Sequence, residues 1–70
     1  MTLNEFVEHC EKTGIHQVGY NARGFTEPQN GRMVARVIVT LDAADGTTWS
    51  GDDDRTRDRL LLAGIVPGRL

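Results

Sequence analysis

The feature that most constrains this chain is a ten-residue alternation from Arg32 to Leu41. Met33, Ala35, Val37, Val39 and Leu41 occupy one face, and Val34, Arg36, Ile38 and Thr40 the other. A period of two, rich in β-branched residues, is the pattern of a strand. One strand cannot stand alone. The remaining chain must supply strands to pair with it and a layer to cover its apolar face. Only 70 residues are available for this, which is one domain, 1–70. A chain of that size buries only about 60% of its unfolded surface. The single Cys10 closes no internal disulfide, and no Cys/His quartet exists to hold a structural zinc. Stability must therefore come from packing the 39% of residues that are apolar.

The flanking segments meet that need. Residues 2–13 read as an amphipathic helix, with Leu3, Phe6, Val7 and Cys10 at i, i+3, i+4 and i+7. Thr2 and Glu5 form a capping box, and Gly14 stands where a C-cap glycine belongs. Residues 16–23 alternate as a strand through Val18, Tyr20 and Ala22. Residues 24–31 read as a loop, because Pro28 lacks an amide donor and Asn30-Gly31 is a turn signal. Asp42 to Gly46 reads as a hairpin turn, and 47–50 as a short third strand. Residues 52–63 read as a second helix, its opening aspartates matching the positive end of the helix dipole. Ile65 and Val66 fold back on the core. The expected architecture is α+β, in the order α-β-β-β-α. It has a three-stranded antiparallel sheet, the second strand central, and both helices on one face.

Composition narrows the function classes. No apolar run approaches the ~20 residues that span a membrane; Val37-Ile38-Val39 is strand-sized. No basic, then apolar, leader opens the chain. With the unpaired Cys10, these features predict a cytoplasmic protein. No Gly-x-Ser-x-Gly, phosphate loop or His-x-x-x-His occurs. His9 and His16 lie on different elements, and Cys10 belongs to the apolar stripe, where a thiol is inert. Seventy residues leave little room for a water-excluding pocket. The expectation is a non-catalytic protein with no cofactor. Asp42-x-x-Asp45-Gly46 lacks the alternating ligands and closing Glu of an EF-hand, so no metal site is expected.

The net charge of −2 averages two opposed blocks. Asp42, Asp45, Asp52, Asp53 and Asp54 fall in a stretch with no basic residue. Arg55, Arg57, Arg59 and Arg69 follow, against Asp58 alone. Local structure accounts for part of the acidic block, since Asp45-Gly46 makes a turn and aspartates cap helices. The excess, gathered on one side, would form a negative patch that imitates nucleic acid and competes for a Lys/Arg groove. Arg55 and Arg59 share a helical face and suit a solvated ion-paired surface or a contact with an acidic partner. Phe25, in the expected loop, is a candidate anchor for a partner. Val34 and Ile38, with Arg36 and Thr40, make the second face of the central strand half-apolar. Such a face suits a partner or a homodimer.

The order and length resemble the double-stranded RNA-binding domain, over nearly the whole chain. Leu3-Asn4-Glu5 looks like that family's first-helix start, whose Glu reaches into an RNA minor groove. The 24–31 segment sits where the family places its second contact. The resemblance implies the three-stranded fold and, through Glu5, the loop and the Arg helix, a duplex-RNA module. The family opens its second helix with phosphate-gripping lysines. Here that segment is Ser50-Gly51-Asp52-Asp53-Asp54-Arg55. Three aspartates oppose phosphate binding, so direct nucleic-acid binding is not expected. In size, acidity and lack of catalytic motifs the chain is also similar to small phage-encoded inhibitors such as anti-CRISPR proteins. That similarity implies an acidic, nucleic-acid-mimicking surface. It would be presented to a larger nucleic-acid-binding complex, such as a CRISPR effector, through Asp42, Asp45, Asp52, Asp53, Asp54, Phe25, Arg55 and Arg59.

Overall fold

The computed structural model describes residues 1–68. Helix α1 (Leu3–Thr13) forms as its sequence dictates. The Glu5 amide donates to Thr2 Oγ1 at 3.1 Å, and the Thr2 amide donates to Glu5 Oε1 at 2.8 Å. This capping box satisfies amides that the first turn leaves free. Gly14 closes the helix in the left-handed conformation, φ 73°. Phe6, Val7 and Cys10 are buried, as their spacing predicts.

Strands β1 (Gln17–Gln29) and β2 (Arg32–Asp42) form one long hairpin. The expected loop at 24–31 is therefore corrected: all but its last two residues belong to β1. The turn is the reason. Asn30 and Gly31 have φ values of 51° and 77°. Two positive φ angles in a two-residue connection match the twist of the strands they join. Pairing then runs from Gln29 and Arg32 without interruption. Such a tight pair points the amides of odd β1 residues toward β2 and those of even ones outward. Pro28 falls in the outward set, so its missing N–H costs the ladder nothing.

Strand β3 (Thr48–Asp52) pairs antiparallel with β2 from Asp42 to Ile38. Asp52 therefore ends a strand and does not open a helix. The Asp53 amide continues that edge, donating to the Val37 carbonyl at 3.0 Å. Helix α2 (Thr56–Leu62) starts only after Arg55, which is left-handed with φ 59° and makes no side-chain cap. Sheet pairing thus takes the residues that a dipole argument assigned to the helix.

Strand β4 (Val66–Gly68) adds to the far edge of the sheet, parallel to β1 along Gln17–Gly19. The sheet is four-stranded and mixed, in the order β3-β2-β1-β4, rather than three-stranded and antiparallel. The apolar tail finds cover by pairing as well as by folding back. Ile65 is buried, while Val66 stands half-exposed on the added strand. The expected α+β class holds.

The core gathers Phe6, Val7 and Cys10 of α1, Val18, Val39 and Leu41 of the sheet, Leu60 of α2, and Ala43 and Ile65. The sheet members share one face, so both helices cover the same side. Trp49 lies across Gly51, where an added Cβ would meet the indole at 2.6 Å. No helix among the described residues is long and apolar enough to cross a membrane.

Candidate functional site

The core ends well before the hairpin does. Val39 is buried, but Val37 is 40% exposed and Met33 67%. From Val39 to the turn, seven residues at ~3.4 Å each carry β1 and β2 about 24 Å past the core. The molecule measures 45 × 20 × 19 Å, and its radius of gyration is 13.4 Å. A compact 70-residue chain would have a radius of about 11 Å. The difference is this two-stranded arm.

Beyond Val39, both faces of the arm carry exposed side chains. The face continuous with the core carries Ala22, Gly24, Thr26 and Pro28 against Val39, Val37, Ala35 and Met33. The open face carries Asn21, Arg23, Phe25 and Glu27 against Thr40, Ile38, Arg36 and Val34. Asn21, Arg23, Phe25, Ile38, Thr40 and Asp42 line a trough on that face. Phe25 is 38% exposed, beside Arg36 and within diagonal reach of Ile38. Period-two reading of β2 found Ile38 and Arg36. Glu27 was hidden by the 24–31 loop assignment, and Asn21 and Arg23, already placed on the 16–23 strand, had no register to set them beside Ile38 and Thr40.

Arg36 organises the open face. Its guanidinium donates to Glu27 Oε1 at 2.6 Å and to Asp52 Oδ1. Hydrogen bonds from both carboxylates, Glu27 first, raise its already high pKa. The open face of the three antiparallel strands holds Arg23, Arg32 and Arg36 against Glu27, Asp42 and Asp52, a balanced set.

The five aspartates do not gather on one face. Asp42 and Asp52 share the open face but stand four residues apart along β3, about 13 Å. Asp45 sits in the turn after β2, where its Oδ2 is 2.6 Å from His9 Nε2 and its Oδ1 accepts from the Thr47 amide at 3.0 Å. The Thr47 amide, then His9, lowers its pKa to about 2. Thr47 Oγ1 lies 3.1 Å from the same His9 nitrogen. A proton relay needs partners on opposite ring nitrogens, so this cluster anchors a turn. Asp53 lines a hollow beside the β2 edge, and Asp54 lines a cleft between the start of α1 and α2. Arg55 and Arg59 line that same cleft, with Leu3 and Leu62. Arg59 Nε donates to Asn4 Oδ1 at 3.1 Å, and Arg57 stacks on Tyr20 with 5.0 Å to the ring centroid. Two of the helix arginines therefore have internal partners. Phe25, Asp42 and Asp52 are brought to one face; Asp54, Arg55 and Arg59 are brought to another site. Cys10 is buried, and burial pushes its thiol pKa up.

No protein-family model, curated protein or solved structure matches this chain.

Proposed function

We propose that this chain is a non-catalytic protein-interaction module of the small-inhibitor kind, and that its contact surface is the β1–β2 arm. The observation that carries this reading is the hairpin outrunning its own core. A two-stranded ribbon exposed on both faces is marginal in water. Folding alone does not account for its length, because Phe25, Val37 and Met33 remain 38%, 40% and 67% exposed there. A larger protein laid against the open face would bury Phe25 as an aromatic anchor, with Ile38 beside it.

The acidic residues supply the steering. Asp42, Asp53 and Asp54 have no ion-pair partner among the described residues. Asp42 and Asp53 lie at the core end of the arm and Asp54 at the helix cleft, and together they favour approach of a basic surface, such as a nucleic-acid-binding groove.

A photo-cross-linking residue at position 25 tests the reading in a lysate of the native host. The expected result is one cross-linked larger protein, lost in an Ile38→Lys chain that keeps its circular dichroism spectrum. Asp53→Asn with Asp54→Asn should slow capture and flatten its salt dependence. Undiminished capture by a folded Ile38→Lys chain would contradict the proposal.

A further inference from the structure

We propose that two copies of this chain pair edge to edge through β2, antiparallel, about a two-fold axis at Val34. The inference rests on the arm as the interaction surface, but it uses the edge of the arm rather than its faces. β3 covers β2 only from Asp42 to Ile38. The Asp53 amide occupies the Val37 carbonyl, and the turn begins at Gly31. Between these limits, Arg32 to Arg36 form a free edge among the described residues.

The hydrogen-bonding groups on that edge fix the register. The bond at Val37 points odd residues of β2 away from β1, so Met33 and Ala35 hold the outward N–H and C=O groups. An axis at Val34 sets Met33 against Ala35 of the second copy, and Ala35 against Met33. Every outward group then finds a partner. An axis at Ala35 would set Met33 against Val37, whose carbonyl is already taken. An axis at Met33 would leave Ala35 facing a turn. Only the Val34 register uses the whole edge, and it brings the two Val34 side chains together on the open face.

Charge selects the second copy as occupant. Arg36 bonds two carboxylates, Glu27 and Asp52, so that cluster carries one negative charge in excess. Asp53 follows, and with Ala35, Arg36, Val37 and Asp52 it lines a hollow at this end of the free edge. The same register sets Arg32 of the second copy opposite Arg36, where Glu27, Asp52 and Asp53 offset the like charge that would otherwise oppose the pair. The two-fold repeats the contact at the other end, so each copy supplies both the cation and its acidic seat. The pairing face is five residues a side, against the ~20–30 of a standard interface. The assembly should therefore form and dissociate with concentration.

Cysteine cross-linking reads the register directly. Residues opposite in a non-hydrogen-bonded pair have Cα atoms about 4.5 Å apart, within the span of a disulfide. Val34→Cys should cross-link to twice the parent mass of 7.7 kDa under mild oxidation. Met33→Cys, more exposed but not opposite itself, should lag behind, and the parent with buried Cys10 alone should not cross-link. Sedimentation of the parent should show mass rising with concentration, and Arg32→Asp should suppress that rise. A Val34→Cys chain that cross-links no faster than Met33→Cys overturns the proposal. So does a parent that stays at the monomer mass at every concentration. Either result leaves the face-based reading standing if Ile38→Lys still abolishes capture of the larger protein.

Discussion

Thr56 is buried at the first position of α2, and its hydroxyl has no hydrogen-bond partner among the described residues. A buried polar group in that state costs about 1–3 kcal/mol by mutational measures. Valine has the same shape without the hydroxyl. Thr56→Val should therefore raise the thermal midpoint, each 1 kcal/mol being about 4–8 °C in a domain this small; an unchanged or lower midpoint would show the hydroxyl to be satisfied. Asp45 offers a test by pH. Its pKa is lowered from 3.8 to about 2, chiefly by the Thr47 amide and then by His9. A group depressed in the folded state stabilises above its unfolded pKa and loses that contribution as pH falls through its folded one. The contribution is thus present above about 3.8 and fades toward 2. In urea titrations, Asp45→Asn should lose less stability than the parent between pH 5 and pH 2. Equal losses would mean that the turn does not hold the carboxylate.

Elements were legible in the sequence where local pattern and tertiary need agreed. The Thr2–Glu5 box, the Leu3-Phe6-Val7-Cys10 stripe and Gly14 specify α1, and all three act as their chemistry predicts. The alternation at 32–41 specifies β2, because period two survives any choice of partner strand. Failures came where two signals competed. Pro28 argued for a loop, but the Asn30-Gly31 turn imposed pairing, and Pro28 fell on the outward side. Asp52-Asp53-Asp54 argued for a helix start, but Ile38 and Val37 offered strand partners. Phe25 was recognised as a contact candidate, yet its neighbours Arg23 and Glu27 could not be placed without the hairpin register. The third strand shows a second kind of limit. Gly51 reads as a weak strand residue, yet Trp49 needs its missing Cβ. Gly51→Ala should push the indole off the sheet at a cost of about 1–3 kcal/mol. A shift in the emission of this single tryptophan would report the movement. An unchanged spectrum and midpoint would mean that the ring has another resting place.

At the scale of the whole molecule, the structure is a small core with a long lever. The helices, β3 and β4 gather at one end, while the arm extends about 24 Å beyond Val39, its last buried residue. Composition alone cannot show this, because 39% apolar residues suit a compact domain equally well. The charge blocks are likewise redistributed by the fold. Asp45 is bound to a helix and Asp52 to Arg36, while Asp42 and Asp53 lie at the base of the arm and Asp54 at the helix cleft. What looked like one acidic block is a set of separate contacts around a protruding, balanced, half-apolar surface. The most direct test is hydrogen–deuterium exchange of the chain alone and bound to its captured partner. Protection concentrated in residues 21–38 is the predicted result. Protection confined to residues 3–13 and 54–62, which border the cleft between the helices, would contradict the assignment of the arm as the contact surface.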